Sequence, residues 1–165
     1  MNKEYLLKNW ENIDINNEEL NNLNWHNISQ YQILSEKFIE KFQNKVNWYN
    51  ISWRQTLSEE FIEKFQNKIN WWKISHSQTL SEEFIEKYQD KVDWNDISWD
   101  QRLSEEFIEK FKNKVDWSYI AKNIYLSPFL RKGYYINKYS FLTKYLKHQN
   151  EYILTTNNIY RIHII

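Results

Sequence analysis

The chain has 165 residues, enough to bury a sizeable core, and Trp, Tyr and Phe make up 18% of it, which argues against disorder throughout. Basic and acidic residues balance at 22 each, so net charge gives no reason to expect a nucleic acid or an anionic membrane as partner. With no Cys there is no disulfide framework and no thiolate metal site, and no apolar run reaches the roughly 18 residues that a membrane span needs. The N-terminus leads into no signal-like apolar stretch, and the expected location is the cytoplasm.

In chain order, residues 1–33 carry a net charge of −3 and a weak version of a pattern that becomes explicit later. Trp10-Glu11-Asn12-Ile13 and Trp25-His26-Asn27-Ile28-Ser29 both read Trp-x-x-Ile, with Gln32 following the second. The two lie 15 residues apart, so the first belongs to a shortened, degenerate unit, as expected where a terminal repeat has one neighbour.

Residues 34–125 are four tandem repeats starting at Leu34, Leu57, Leu80 and Leu103, a period of 23 residues. Such a period predicts stacked supersecondary units. In the second copy Leu57, Phe61, Ile62, Phe65 and Ile69 fall on one helical stripe. Ser58 is a natural N-cap, Leu57 and Ile62 are placed as a hydrophobic staple, and Asn44, Asn67, Asp90 and Asn113 suit the turn that ends the helix. The half-unit Val-Asn-Trp-x-x-Ile-Ser repeats the grammar: Asn47, Asn70, Asp93 and Asp116 are N-caps of a second short helix. The pattern predicts helix A near 36–44 and helix B near 48–54, recurring every 23 residues in an all-α solenoid. Trp25, Trp48, Trp71, Trp94 and Trp117 would form a regular interior ladder. Helices this short do not persist alone in water, so stacking must stabilise them.

Residues 126–165 carry the basic excess, net +5. Leu126-Ser127-Pro128 opens a degenerate capping unit with Pro at a first-turn position. Residues 151–165 alternate in the β manner around Asn157-Asn158, which predicts a β-hairpin that either closes the array or pairs two copies in a homodimer, leaving monomer and dimer both open.

The phrase Leu-Ser-Glu-Glu-Phe-Ile-Glu-Lys-(Phe/Tyr), followed by Trp-x-x-Ile-Ser, resembles a tandem repeat family of giant DNA viruses of amoebae. The resemblance covers residues 34–125. It implies an interaction module in the cytoplasm of a host cell and brings no catalytic residues with it.

Core columns hardly change between copies, while other columns vary freely. The variable positions in or just after helix B supply the candidate partner-binding residues: Tyr49, Trp53, Arg54, Trp72, Lys73, His76, Asp96, Trp99 and Asp100. One reading is a protein-binding surface that presents a different side chain in each repeat. The other is drift on a solvated face, with the Trp residues buried between units. His26, His76, His148 and His163 share no metal-ligand spacing, the glutamates of helix A read as a solvated face, and no nucleophile motif or phosphate loop is present. The expectation is a non-enzymatic protein–protein interaction scaffold with no cofactor. The alternative is single-stranded nucleic-acid binding by Arg131, Lys132, Lys138, Lys144 and Lys147, interleaved with Tyr134, Tyr135, Tyr139 and Tyr145.

Overall fold

The structure, a computed structural model, describes residues 1–120, 122 and 123. The C-terminal capping unit, the β-hairpin at 151–165 and the basic, Tyr-rich segment lie outside the described residues. The chain divides into two compact units, Met1–Asp93 and Trp94–Ile165. Among the described residues the secondary structure is wholly helical, and no helix is long and apolar enough to cross a membrane.

The first unit opens with α1 (Lys3–Asn9), capped by the Asn2 side chain, and a 3-10 turn at Trp10–Asn12. Leu6 and Leu20 are fully buried and Trp10 packs edge-on against Phe38 at 5.7 Å, so the degenerate end shares the core. A 3-10 helix at Glu18–Asn22 stands before α2 (Trp25–Tyr31), where later repeats have helix A. Helices α3 (Glu36–Lys41), α5 (Glu59–Lys64) and α7 (Glu82–Lys87) are the A helices of this unit; α4 (Trp48–Arg54) and α6 (Trp71–Ser77) join α2 as its B helices. The second unit repeats the scheme with α8 (Trp94–Asp100), α9 (Glu105–Lys110) and α10 (Trp117–Ile120).

The caps follow the sequence. Ser35, Ser58, Ser81 and Ser104 each accept from the backbone N–H three residues on, and Asn24, Asn47 and Asn70 do the same for the B helices. The B helix near 48–54 is found as expected, but the first A helix ends at Lys41 rather than near 44. There the Phe42 carbonyl accepts from both Lys45 N–H (2.8 Å) and Val46 N–H (3.1 Å), which tightens the last turn and brings Val46 inward.

Two rows of isoleucine carry the deepest burial. In the first unit they are Ile39, Ile62 and Ile85 on the A helices and Ile28, Ile51 and Ile74 on the B helices; Ile97, Ile108 and Ile120 continue the pattern in the second. The Trp column is regular but only half buried, which corrects the interior ladder expected from sequence. Members of it pack on the aromatic pair of the following A helix: Trp48 on Phe61 and Phe65 (6.4 and 5.1 Å), Trp71 on Phe84 and Tyr88 (6.3 and 5.0 Å), and, in the second unit, Trp94 on Phe107 and Phe111 (6.3 and 5.2 Å). A lysine covers the outer side: Lys68 over Trp48, Lys91 over Trp71 and Lys114 over Trp94, at 5.5–5.8 Å. The indole N–H is satisfied locally, Trp48 Nε1 donating to the Gln43 carbonyl and Trp71 Nε1 to that of Gln66.

Buried polar side chains join successive repeats. Ser52 Oγ donates to the Trp48 carbonyl (2.7 Å) and accepts from Asn70 N–H of the next repeat (2.9 Å); Ser29 and Ser75 do the same toward Asn47 and Asp93, and Ser98 toward Asp116 in the second unit. Gln55 accepts from Leu34 N–H (2.9 Å) and donates to the Ser29 and Gln32 carbonyls (3.1 and 2.8 Å). The Gln column lapses at Ile124 in the sequence, yet its bonds persist: Asn123 Nδ2 donates to the Ser98 and Gln101 carbonyls, both at 3.0 Å. Asn123 is buried, one period after the half-buried Asp100 and two after the exposed Ser77.

The A-helix glutamates are more than a solvated face. Glu36 accepts from Ser58 N–H and Glu59 from Ser81 N–H, both at 2.6 Å, and the Lys64–Glu40 and Lys87–Glu63 pairs bridge repeats. The hydrogen bond from Lys87 holds the Glu63 carboxyl below its ordinary range. The pair is open to water, so its contribution to stability is small and screened by salt.

At the start of α10, burial pushes the Asp116 carboxyl up, but hydrogen bonds from the Ser118 hydroxyl and the Tyr119 and Ser118 N–H groups outweigh it and leave the group below its usual range. A lowered folded-state pKa stabilises above the unfolded value, and the gain disappears as pH falls through the folded one. Asp116→Ala therefore costs about 1 kcal/mol at neutral pH, the usual worth of an N-cap. Urea midpoints of the two proteins converge as the pH is lowered through the folded-state pKa of Asp116.

Candidate partner-binding surface on the B helices

In the first unit α2 lies beside α4, and α4 beside α6, so the B helices form a layer of their own. The buried Ile and Ser columns face inward, and the residues that differ between repeats occupy the remaining positions.

Five of the nine sequence-derived candidates come together on α4 and α6. Tyr49 and Trp53 meet edge to face at 6.2 Å. The Arg54 guanidinium lies 3.7 Å from the centre of the Trp53 ring. The Lys73 Nζ is 4.0 Å from the Trp72 ring, 4.2 Å from that of Trp53 and 5.2 Å from that of Tyr49, so three aromatic rings from two repeats surround one ammonium. Tyr49 and Trp72 remain 43% and 51% exposed, Trp53 is half buried, and Arg54 is open to solvent.

Lys73 departs from expectation. Its variability pointed to an accessible position, but it is only 6% exposed. Its backbone N–H is held by the Asn70 cap (2.9 Å), in the first turn of α6. A cation there opposes the helix dipole, and burial removes much of its hydration. The three ring faces compensate, since a desolvated cation–π contact contributes up to ~2 kcal/mol. One repeat earlier the same column holds Asn50, also buried, its amide nitrogen 3.2 Å from His26 Nδ1 and 3.3 Å from the His26 carbonyl. In these two copies the position is buried and each side chain has a different local partner, so its variability there does not mark a free surface.

His76 lies on α6, exposed, one turn beyond Trp72 and Lys73. The remaining three candidates belong to α8 in the second unit. There Trp99 is 44% exposed and meets Tyr119 of α10 edge-on at 5.2 Å, and Asp96 and Asp100 are half buried. Sequence reasoning missed Tyr31, which precedes Arg54 by one period and is 67% exposed at the end of α2. The 23-residue register would have found it, had the variable columns been extended back through the degenerate first unit.

A shallow depression elsewhere in the first unit is lined by Ile15, Asn16, Asn17, Asn21, Asn44 and Lys45, a set with amides and one cation but no carboxylate, thiol or imidazole. No family model matches the chain, and no curated protein or solved structure matches it either.

Proposed function

We propose that this protein is a non-enzymatic α-solenoid scaffold that binds a protein partner through the variable positions of its B helices, in the cytoplasm of a host cell. The observation that carries the reading is the exposure of Tyr49, Trp72 and Trp99 at positions that differ from repeat to repeat. Large aromatic side chains left in water are unfavourable, and they are over-represented among residues that dominate binding energy. Trp72 and Tyr49 are moreover held in place by the shared Lys73 ammonium, which lowers the entropy lost when a partner covers them.

The test is affinity capture from the cell that carries the gene, with the wild-type chain and a Trp53→Ser/Trp72→Ser/Trp99→Ser variant as bait. The expected result is loss of a stoichiometric partner with the helical circular dichroism retained. Because Trp53 is half buried, Trp72→Ser alone serves as a second bait, and its partner recovery drops by about tenfold or more. A folded triple variant that keeps every partner overturns the proposal.

A further inference from the structure

The charge on the first unit is segregated by helix type. From 41 to 58 and from 64 to 81 there is no Asp or Glu, although Lys41, Lys45, Arg54, Lys64, Lys68 and Lys73 fall in these stretches. Helices α2, α4 and α6 likewise contain no acid. From Leu34 to Asp90 the carboxylates belong to the A helices and the turns that follow them, and several are engaged there with Ser N–H groups or lysines of the next repeat. The aromatic patch on α4 and α6 thus carries two cations, Arg54 at its open edge and Lys73 among its rings, with no carboxylate on the helices that build it.

A cationic or neutral apolar segment would leave Arg54 uncompensated as it lost water, and a desolvated charge without a partner is costly. A segment with carboxylates set among aromatic side chains would pair with Arg54, lay its rings on Tyr49 and Trp72, and approach Lys73 across the ring edges. We infer that the surface formed by Tyr49, Trp53, Arg54, Trp72 and Lys73 takes an acidic, aromatic-bearing peptide segment. This rests on the scaffold reading above and names the chemistry of its partner.

The probe is a random copolymer of Glu and Tyr, titrated into the full-length protein with indole fluorescence as the readout. A Lys–Tyr copolymer and oligo(dT) are run in parallel. The expected result is saturable binding of the Glu–Tyr copolymer that weakens as salt rises. Arg54→Glu and Trp72→Ser should each reduce the affinity by about tenfold or more, with no effect from the Lys–Tyr copolymer. Arg54→Gln, which disturbs the end of α4 least, falls between wild type and Arg54→Glu.

Equal binding of both copolymers, or an affinity unchanged by Arg54→Glu, overturns the inference. So does tighter binding of oligo(dT) that is lost in Arg54→Glu, which would assign the patch to nucleic acid instead. A captured cellular partner that is lost with Trp72→Ser but fully retained with Arg54→Glu would leave the scaffold reading standing and refute the acidic segment.

Discussion

Phe61→Ala lowers the unfolding free energy by about 4 kcal/mol, in the range for removing a buried aromatic side chain. The Phe61 ring is 5% exposed and lies between Phe65 of its own repeat, 4.6 Å away, and Trp48 of the preceding one, 6.4 Å away. Truncation opens a cavity and removes two ring contacts at once, one of them joining repeats. Phe61→Leu, which keeps most of the volume, costs about 1–2 kcal/mol, because loss of the ring contacts remains. Urea denaturation followed by far-UV circular dichroism measures both. If the two substitutions are equally mild, Trp48 and Phe61 do not form a packed seam. Because stability in such arrays is a sum over repeats and their neighbours, the alanine variant should also broaden the transition as the repeats on either side uncouple.

The second large effect is expected at Gln55. Its side chain is buried, with its carbonyl taking Leu34 N–H and its amide serving the carbonyls of Ser29 and Gln32. Gln55→Leu fills the space but strands the Leu34 N–H of its own repeat and the Ser29 and Gln32 carbonyls of the preceding one. The cost is about 2–4 kcal/mol, since each buried unpaired backbone group is unfavourable by about 1–3 kcal/mol and water reaches some of them. Gln55→Glu separates the donor from the acceptor role. A carboxylate keeps the bond from Leu34 N–H but repels the two carbonyls, so the introduced group has a raised folded-state pKa. Stability from its protonated form is present below the unfolded pKa and is lost as pH rises through the folded one. Denaturation midpoints should therefore show Gln55→Glu recovering toward wild type on acidification and Gln55→Leu not recovering. A Gln55→Leu protein as stable as wild type at neutral pH would mean that the column does not join the repeats.

The residues that set local structure were legible in the chain itself. The 23-residue register follows from the recurrence of one phrase, and the Ser caps of the A helices, the Asn caps of the B helices and the extent of α4 from interactions spanning three or four residues. The A helix was read three residues too long. Its Phe-Gln-Asn-Lys tail keeps a helical composition, and the turn is imposed by the Phe42 carbonyl accepting twice while Val46 enters the core.

The variable columns also marked where Tyr49, Trp53, Arg54 and Trp72 would gather, because positions one period apart lie on adjacent B helices. What those side chains do to one another was not written in the sequence. Tertiary structure alone decided that Lys73 is enclosed by rings from two repeats, that Trp48 is half buried under Lys68, and that Ser52 and Gln55 fasten one repeat to the next. These contacts join residues 18 to 26 positions apart, or pack side chains whose burial depends on the neighbouring repeat. A 23-residue period announces that neighbours exist. Which atom of a neighbour reaches a given side chain depends on how the short helices stack, and that stacking is the cooperative outcome of the whole core.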